Sequence, residues 1–436
     1  MKAINVGLLG IGTVGGGTFN VLKRNEEEIT RRAGRSIRIT TVADKNLELA
    51  RKVAGPGVKV TDDAFAVVAD PDIDIVVELI GGYGVARQLV LAAIDNGKHV
   101  VTANKALLAV HGNEIFEAAQ KRGVMVAFEA AVAGGIPIIK ALREGLSANR
   151  IEWIAGIING TTNFILSEMR DKGLPFAEVL KEAQALGYAE ADPTFDIEGH
   201  DAAHKATIMS AIAFGVPMQF EAAHIEGITC LDSVDIAYAE QLGYRIKLLG
   251  IARMREEGIE LRVHPTLVPG KRLLANVEGA MNAVLVQADA VGATLYYGKG
   301  AGAEPTASAV IADLVDVTRL HTADPEHRVP HLAFQPDQVR DLKVLPISEI
   351  ITSYYLRMRV DDKPGVLADI TRILADSGLS IEALIQKEAA EGEAQTDIIM
   401  LTHKTVEKNA DAALALIEAL PVVRGRVTRI RMENLQ

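Results

Sequence analysis

The sequence predicts an α/β protein in three parts: an N-terminal doubly wound domain with a parallel sheet, an α+β middle domain, and a C-terminal domain of ferredoxin-like β-α-β-β-α-β order. Three observations predict it. Short apolar runs alternate with helical patterns over the first part, as parallel strands covered on both faces do. Helical patterns and then strand patterns fill the middle. A proline-punctuated stretch then precedes strand and helix signals in the six-element order.

The first domain is assigned to residues 1–135. INVGLLG, IRITTVA, DIVVELI, HVVTA and MVAFEAA read as strands, each a near-continuous apolar run. Residues 85–96 and 113–122 read as helices between them. The second domain, 136–303, has helical patterns at 138–146, 162–172, 176–186 and 200–214, then strand patterns at 247–255, 259–265, 284–290 and 294–297. EPTASAVIADLVDVTR is a helix with Pro305 in its first turn and apolar surface at Ala309, Ala312, Leu314, Val315 and Val317. This helix, over 304–320, is expected to complete the first domain. Pro325, Pro330, Pro336 and Pro346 mark 321–352 as a linker. The last domain, 353–436, reads strand 353–360, helix 365–377, strands 380–387 and 395–402, helix 406–420 and strand 422–432.

Composition narrows the function. The formal charge is −11 and no basic run stands out, which argues against nucleic-acid partners. Cys230 is the single cysteine, so no internal disulfide can form; a reducing, cytoplasmic compartment is expected. The N-terminal apolar run turns straight into glycines, unlike a secretion signal. No stretch reaches the roughly 18 apolar residues of a membrane span.

Gly10-Ile11-Gly12-Thr13-Val14-Gly15 follows a predicted strand and opens a helix, the context in which GxGxxG binds a dinucleotide. Gly10 permits the tight turn, Gly12 lets backbone approach the pyrophosphate, and Gly15 lets helix and strand pack closely. This marks the first domain as Rossmann-type. The acid expected after the second strand is Asp44, 29 positions beyond Gly15, which implies an extended first helix. Asp44 favours an unphosphorylated ribose, whereas Lys45 could pair with a 2′-phosphate, so NAD and NADP both stay open. Thr102-Ala103-Asn104-Lys105 ends the fifth predicted strand, where open α/β sheets bind ligands; Thr102 and Lys105 are candidates there.

EGHDAAHKAT, 198–207, admits three readings. His200-Asp201-x-x-His204 imitates a zinc-protease helix, but Asp is shorter than the usual Glu and no third ligand follows. Asp201 and Lys205 are also spaced i, i+4, which on a surface would be a salt bridge of ~0.3 kcal/mol. The alanines, Ile208, Met209 and Ile212 make this helix largely apolar, and a lysine on a buried helix is better placed to give a proton to a forming alkoxide, with the carboxylate orienting it. Upstream, GYAEADPTFD gathers Gly187, Glu190, Asp192 and Asp196; its acids could hold a substrate ammonium or cap a helix.

GLLGIGTVG, TANK, EAAVAGGIPII, GIINGTTNFIL, LGYAEADPTFDIEGHDAAHKATI and GKGAGAEPTASAVIADL together resemble bacterial homoserine dehydrogenase, in order over residues 1–320. MRVDDKPGVLADITRILADSGLSIEALIQ resembles an ACT domain, a small-molecule sensor. The resemblance implies NAD(P)-dependent interconversion of L-aspartate 4-semialdehyde and L-homoserine, a step towards threonine, methionine and isoleucine. It implies Lys205 as proton donor, Asp201 at the substrate, and Lys105 at the junction of nicotinamide and substrate. Glu190 would bind the substrate amino group with Asp196 in support, and Thr13, Val14, Gly187 and Gly302 would touch the cofactor.

It further implies a monovalent cation, sodium, at Glu129 with backbone oxygens near Val132, Gly134 and Ile136; oxygen-only ligation suits a hard ion. Ala131 and Ala133 stand where the family more often has Ser and Gly, and Lys299 where it more often has arginine. A homodimer or homotetramer is implied, the middle domain making the dimer. The DKPGVL loop of the ACT domain would contact an amino-acid effector, threonine being the natural candidate. Two alternatives remain open. An aldehyde-phosphorylating enzyme such as aspartate-semialdehyde dehydrogenase would need a thiolate, and only Cys230 is available. A non-catalytic sensor would bind nucleotide and amino acid without turnover.

Overall fold

Two sheets organise the chain, described by a computed structural model over residues 2–387 and 392–436; every count below is of those residues. The first sheet holds β1 (Ile4–Leu9), β2 (Ile37–Ala43), β3 (Lys59–Thr61), β4 (Ile75–Glu78), β5 (His99–Thr102) and β6 (Val126–Ala127). They run parallel in the order β3-β2-β1-β4-β5-β6. β4 and β5 are buried along their whole length, as their unbroken apolar runs demand. The order reverses between β1 and β4, which places a crevice at the carboxyl ends of these strands.

The helix Ala303–Leu320 packs into this first layer. Ala307, Val310, Leu314 and Val317 share a core with Val6, Leu8, Ile75 and Val77. Its start lies flush on the helix Thr13–Arg24: a Cβ on Gly17 would stand 2.5 Å from the Ala303 carbonyl oxygen.

Four local readings need correction. The extended first helix is two helices, Thr13–Arg24 and Glu26–Ala33, meeting at Asn25. The helix expected over 113–122 begins at Lys105, because the Asn104 side chain accepts from the Leu107 N–H and caps it. The strand expected over MVAFEAA is only Val126–Ala127; the Glu129 N–H donates to Asp313 rather than to a neighbouring strand, and a 3-10 turn follows. β3, with the short helices Leu47–Ala54 and Ala64–Ala69, supplies a sixth strand where five were expected.

The second sheet contains β7 (Ile151–Ile157), β8 (His224–Ile225), β9 (Tyr244–Met254), β10 (Ile259–Pro269), β11 (Met281–Ala288), β12 (Gly292–Lys299), β13 (Ile351–Asp361), β14 (Ile381–Gln386), β15 (Gln395–Thr402), β16 (Thr405–Val406) and β17 (Val423–Met432). Its order is β12-β11-β7-β9-β10-β17-β13-β15-β14, with β8 beside β10 and β16 beside β13. The last four strands in that order make the ferredoxin-like arrangement. They are not a detached unit: β17 pairs in parallel with β10 at Thr266↔Arg431 and Leu267↔Met432, so middle and C-terminal domains share one sheet.

The proline-rich stretch between them is a packed strap rather than a free tether. It forms short 3-10 turns at Pro325–His327, Pro336–Gln338 and Ile347–Glu349. His331 accepts from the Val126 N–H at 3.1 Å and stacks on Phe116. The helix His200–Phe214 packs against β9 and β10 and is buried after its first residue. Among the described residues, no helix is long and apolar enough to cross a membrane.

Candidate active site

The glycine loop closes β1 onto the helix Thr13–Arg24. Gly10 has φ +96°, a conformation side chains rarely adopt, and a Cβ on Gly15 would sit 2.0 Å from the Gly10 carbonyl oxygen. Gly12 differs: nothing lies within 4 Å of where its Cβ would be, and no side chain caps the helix it begins. Gly12 and Thr13 are exposed, with Val14 half-buried behind them. The loop is therefore tight where the chain must turn and open where a phosphate would approach the helix N–H groups. These residues fit a dinucleotide.

Asp44, just after β2, accepts from the Ile11 N–H at 2.7 Å and the Asn46 N–H at 2.7 Å. Lys45 is exposed and donates to the Asp62 carbonyl at 3.1 Å. Gly302 caps the helix Ala303–Leu320, which the Arg24–Glu304 pair fastens to the first helix. At the ends of β4 and β5, Thr102 donates to the buried Glu78 carboxylate at 2.7 Å. Glu78 also accepts from the Ile80 and Gly81 N–H groups, shaping the turn at the crevice floor.

Lys105, opening its helix at the end of β5, reaches across to the second domain. Its Nζ lies 2.9 Å from Asp201 Oδ1. The other oxygen, Oδ2, lies 2.7 Å from Lys205 Nζ and accepts from Asn159 Nδ2 at 2.8 Å. Lys205 also donates to the Ile158 carbonyl at 2.7 Å. Asp201 and Lys205 are both buried, while Lys105 keeps 35% of its side chain exposed. Burial alone would raise the Asp201 pKa, but Lys205 and Lys105 overcome it and hold the carboxyl well below its ordinary range. Burial draws the Lys205 pKa below the ordinary lysine value, with Asp201 opposing and Lys105 assisting. Lys105 goes the other way, raised chiefly by Asp201 against its own desolvation.

Asp196 joins this group through Asn159, whose amide donates to Asp196 Oδ1 at 2.7 Å as well as to Asp201. Thr161 donates to the Tyr188 carbonyl at 2.7 Å and lies 3.3 Å from Asp196, drawing the loop after Gly187 towards the acids. Burial, then the nearby Asp201, raises the Asp196 pKa. Glu190 stands exposed at the mouth and contributes to the raised Lys105 pKa. Asn159, Thr161 and the Ile158 carbonyl were not singled out from the sequence. The signal for Asn159 was there, since it caps the helix Gly160–Lys172 in the stretch GIINGTTNFIL.

His204, by contrast, packs between Phe195 and Phe220, at ring distances of 5.3 and 4.3 Å, and His200 is exposed. Burial depresses the His204 pKa to about 4. Cys230 lies at the surface, and partial burial of its sulfur with Glu226, Glu198 and Asp235 nearby raises its pKa, the reverse of an activated thiolate.

Further along, Glu129 is buried, its oxygens accepting from the Ile139 N–H at 2.9 Å and the Lys140 N–H at 2.8 Å. Ala133 (φ +54°) and Gly134 (φ +48°) are both left-handed and curl the chain beside it. Among the described residues the Val132 and Gly134 carbonyls accept no hydrogen bond, whereas that of Ile136 accepts from Ile138 N–H at 2.8 Å. The curl abuts the loop at Lys299, whose carbonyl accepts from the Gly135 N–H at 3.0 Å.

A Rossmann-type crevice with a buried Asp201–Lys205 pair at its edge, reached by the half-buried Lys105, defines an NAD(P)-dependent oxidoreductase. Residues 10–129 match the family model "Homoserine dehydrogenase, NAD binding domain", residues 137–315 match "Homoserine dehydrogenase", and residues 354–422 match "ACT domain". The chain belongs to the homoserine dehydrogenase family. It is 62% identical to the homoserine dehydrogenase of Pseudomonas aeruginosa and 64% identical to that of Neisseria gonorrhoeae, covering 100% of each chain in both cases. Its fold is similar to the crystal structure of a homoserine dehydrogenase from Thiobacillus denitrificans, with a TM-score of 0.96 and 71% identity over 100% of this chain and 99% of that one. The Staphylococcus aureus enzyme matches at a TM-score of 0.75 and 32% identity over 99% of both chains.

Proposed function

We propose that this chain interconverts L-aspartate 4-semialdehyde and L-homoserine on the path to threonine, methionine and isoleucine, with Lys205 moving the proton. The observation that carries the reading is the Asp201 carboxylate, buried between Lys205 and Lys105 at the crevice edge. The dinucleotide, when bound, gives or takes the hydride.

The chain's own groups handle charge and position. A lysine ammonium has three protons. Two point at Asp201 and the Ile158 carbonyl, which leaves the third for a substrate oxygen. In reduction Lys205 donates it to the forming alkoxide; in oxidation it takes it back. Lys105, half-open to solvent, stands where substrate and nicotinamide meet. Asp196, with Glu190 at the rim, offers negative charge to the substrate ammonium, and Gly187 leaves backbone access beside them. Gly10, Gly12, Thr13, Val14, Gly15, Thr102 and Gly302 line the cofactor side. Asp44 and Lys45 serve the adenosine ribose of NAD or NADP; a 25% identical hyperthermophilic archaeal relative is described in complex with NADPH.

A monovalent cation, sodium, fits at Glu129. The Val132 and Gly134 carbonyls, which accept no hydrogen bond among the described residues, support it, with the Ile136 carbonyl completing an all-oxygen set. The cation would stiffen the curl that supports the Lys299–Gly302 loop. Homo-oligomerisation is supported by the open edge strand β12, with Tyr297 exposed on it. An amino-acid effector, threonine first, would bind the ACT domain at the exposed loop 362–365. A cytoplasmic setting suits the single free cysteine.

The deciding experiment is a steady-state assay of L-homoserine oxidation, followed by nicotinamide absorbance with NAD and NADP side by side, with and without L-threonine. Turnover is expected. Silence with both cofactors overturns the reaction, and indifference to threonine overturns the effector.

A further inference from the structure

Arg431, near the end of β17, is buried where the C-terminal domain joins the middle one. Its guanidinium forks twice. One fork holds Glu407, at the start of the helix Glu407–Glu418 in its own domain. The other crosses to the middle domain and holds Glu226, at 2.7 and 2.9 Å. Glu226 follows β8, its N–H donates to the Val263 carbonyl at 2.7 Å, and His224 Nε2 lies 2.8 Å from its Oε1.

Beyond Glu226 the chain runs flush against the turn that carries the acids of the site. A Cβ on Gly227 would lie 2.3 Å from the Ile197 carbonyl oxygen and 2.5 Å from Glu198 Cα. The Ile228 N–H donates to the Ile197 carbonyl at 2.8 Å, and Thr229 donates to the Glu198 carboxylate at 2.9 Å. Gly199, the cap of the helix bearing Asp201 and Lys205, is packed closely as well: it has φ +86°, and a Cβ there would lie 3.2 Å from side-chain methyls of both Ile225 and Val263. An unbroken line of contacts thus runs from Arg431 through Glu226 to Asp196 and Asp201. Close-packed interiors pass displacement along such a line, and a forked guanidinium–carboxylate pair fixes direction as well as distance.

We infer that Arg431 and Glu226 are positioning residues for the substrate: through this pair the C-terminal domain sets where the 196–201 turn stands, and hence how Asp196 and Asp201 meet the amino acid. The inference rests on the reading that those two acids contact substrate. It also specifies how a ligand on the C-terminal domain would be felt, as a change in substrate KM. The glycine loop belongs to the other sheet, so cofactor KM would change much less than substrate KM, Lys105 being the one cofactor-side group that Asp201 touches directly.

The test is a double-mutant cycle in the full-length enzyme. Arg431→Lys keeps the charge and loses the fork; Glu226→Gln keeps the shape and loses the charge. Each single change is expected to raise homoserine KM about fivefold. Cofactor KM should stay within about twofold, and the double variant should be no worse than the poorer single, because both act through one contact. Unchanged homoserine KM in the folded variants overturns the inference, as do additive effects. So does a fall in melting temperature and kcat at constant KM, which would mark a purely structural pair. Should Arg431→Lys fail to fold, Glu226→Gln, which leaves Arg431 on Glu407, decides the matter by its KM alone. Wild-type enzyme is assayed first: absence of homoserine turnover there would overturn the reading of the site itself.

Discussion

Lys205 Nζ lies 2.7 Å from Asp201 Oδ2 inside the protein, and the Ile158 carbonyl holds it from another side. A lysine pinned twice has one direction left in which to exchange a proton. Truncating it removes the proton donor without touching the glycine loop in the other sheet. Lys205→Ala is therefore expected to lower kcat by about two orders of magnitude or more. Cofactor binding, measured by quenching or enhancement of nicotinamide fluorescence, should persist. Turnover at the wild-type rate would remove Lys205 from the mechanism.

The same pair makes a pH prediction. Homoserine oxidation needs Lys205 unprotonated, so kcat/KM should rise with pH towards the lysine pKa, which burial draws below its ordinary value and Asp201 partly restores. In Asp201→Asn the restoring charge is gone while burial remains. The rising limb should shift to lower pH, even as the rate falls through lost orientation. A limb that stays in place or moves to higher pH would show that another group titrates.

Local chemistry was legible where one short stretch had to satisfy it alone. The glycine loop is an example, since turn, approach and packing fall within six residues; Asp201 and Lys205 are another, one helical turn apart. What was not legible came from distance. Asn159 matters because folding brings it to Asp201, 42 residues on. The union of β10 with β17 rests on a two-residue register between segments whose own patterns only say strand. β3 and its flanking helices are too short for periodicity to register. Lys105 was placed at the strand end, but its role as first residue of a helix depended on recognising Asn104 as a cap.

The joint between the two domains is built on buried charge. Glu433, just past β17, accepts from Arg253 at 2.8 Å and from Arg262, which also pairs with Glu260 at 2.9 Å. Burial would raise the Glu433 pKa, yet Arg262 and Arg253 hold it at about 2. Neutralising it by Glu433→Gln leaves buried Arg262 and partly buried Arg253 to share Glu260 with Arg255, a loss of about 3 kcal/mol. The melting temperature at pH 7 should drop accordingly. The sign of the acid dependence follows from the depressed pKa: this stability is present above the unfolded value near 4.5 and is lost as pH falls towards 2. The gap between wild type and variant should therefore narrow across that window; a gap independent of pH would mean the loss is packing, not charge.

The strap makes the last prediction. His331 accepts from the Val126 N–H, so its ring must be neutral there, and burial lowers its pKa to about 4. In the unfolded chain it titrates near 6.5. Between those values the unfolded state binds the proton and the folded state does not, so stability is full above 6.5 and drains as pH falls to 4. At pH 5 this one residue should account for about 1–2 kcal/mol of the loss. His331→Gln offers an acceptor that does not titrate. Urea unfolding at pH 7.5 and pH 5, followed by hydrogen exchange at the Val126 amide, should show the variant less stable than wild type at the higher pH but losing less on acidification. Equal losses in the two proteins would place the acid sensitivity on His99, His204 or elsewhere rather than on the strap.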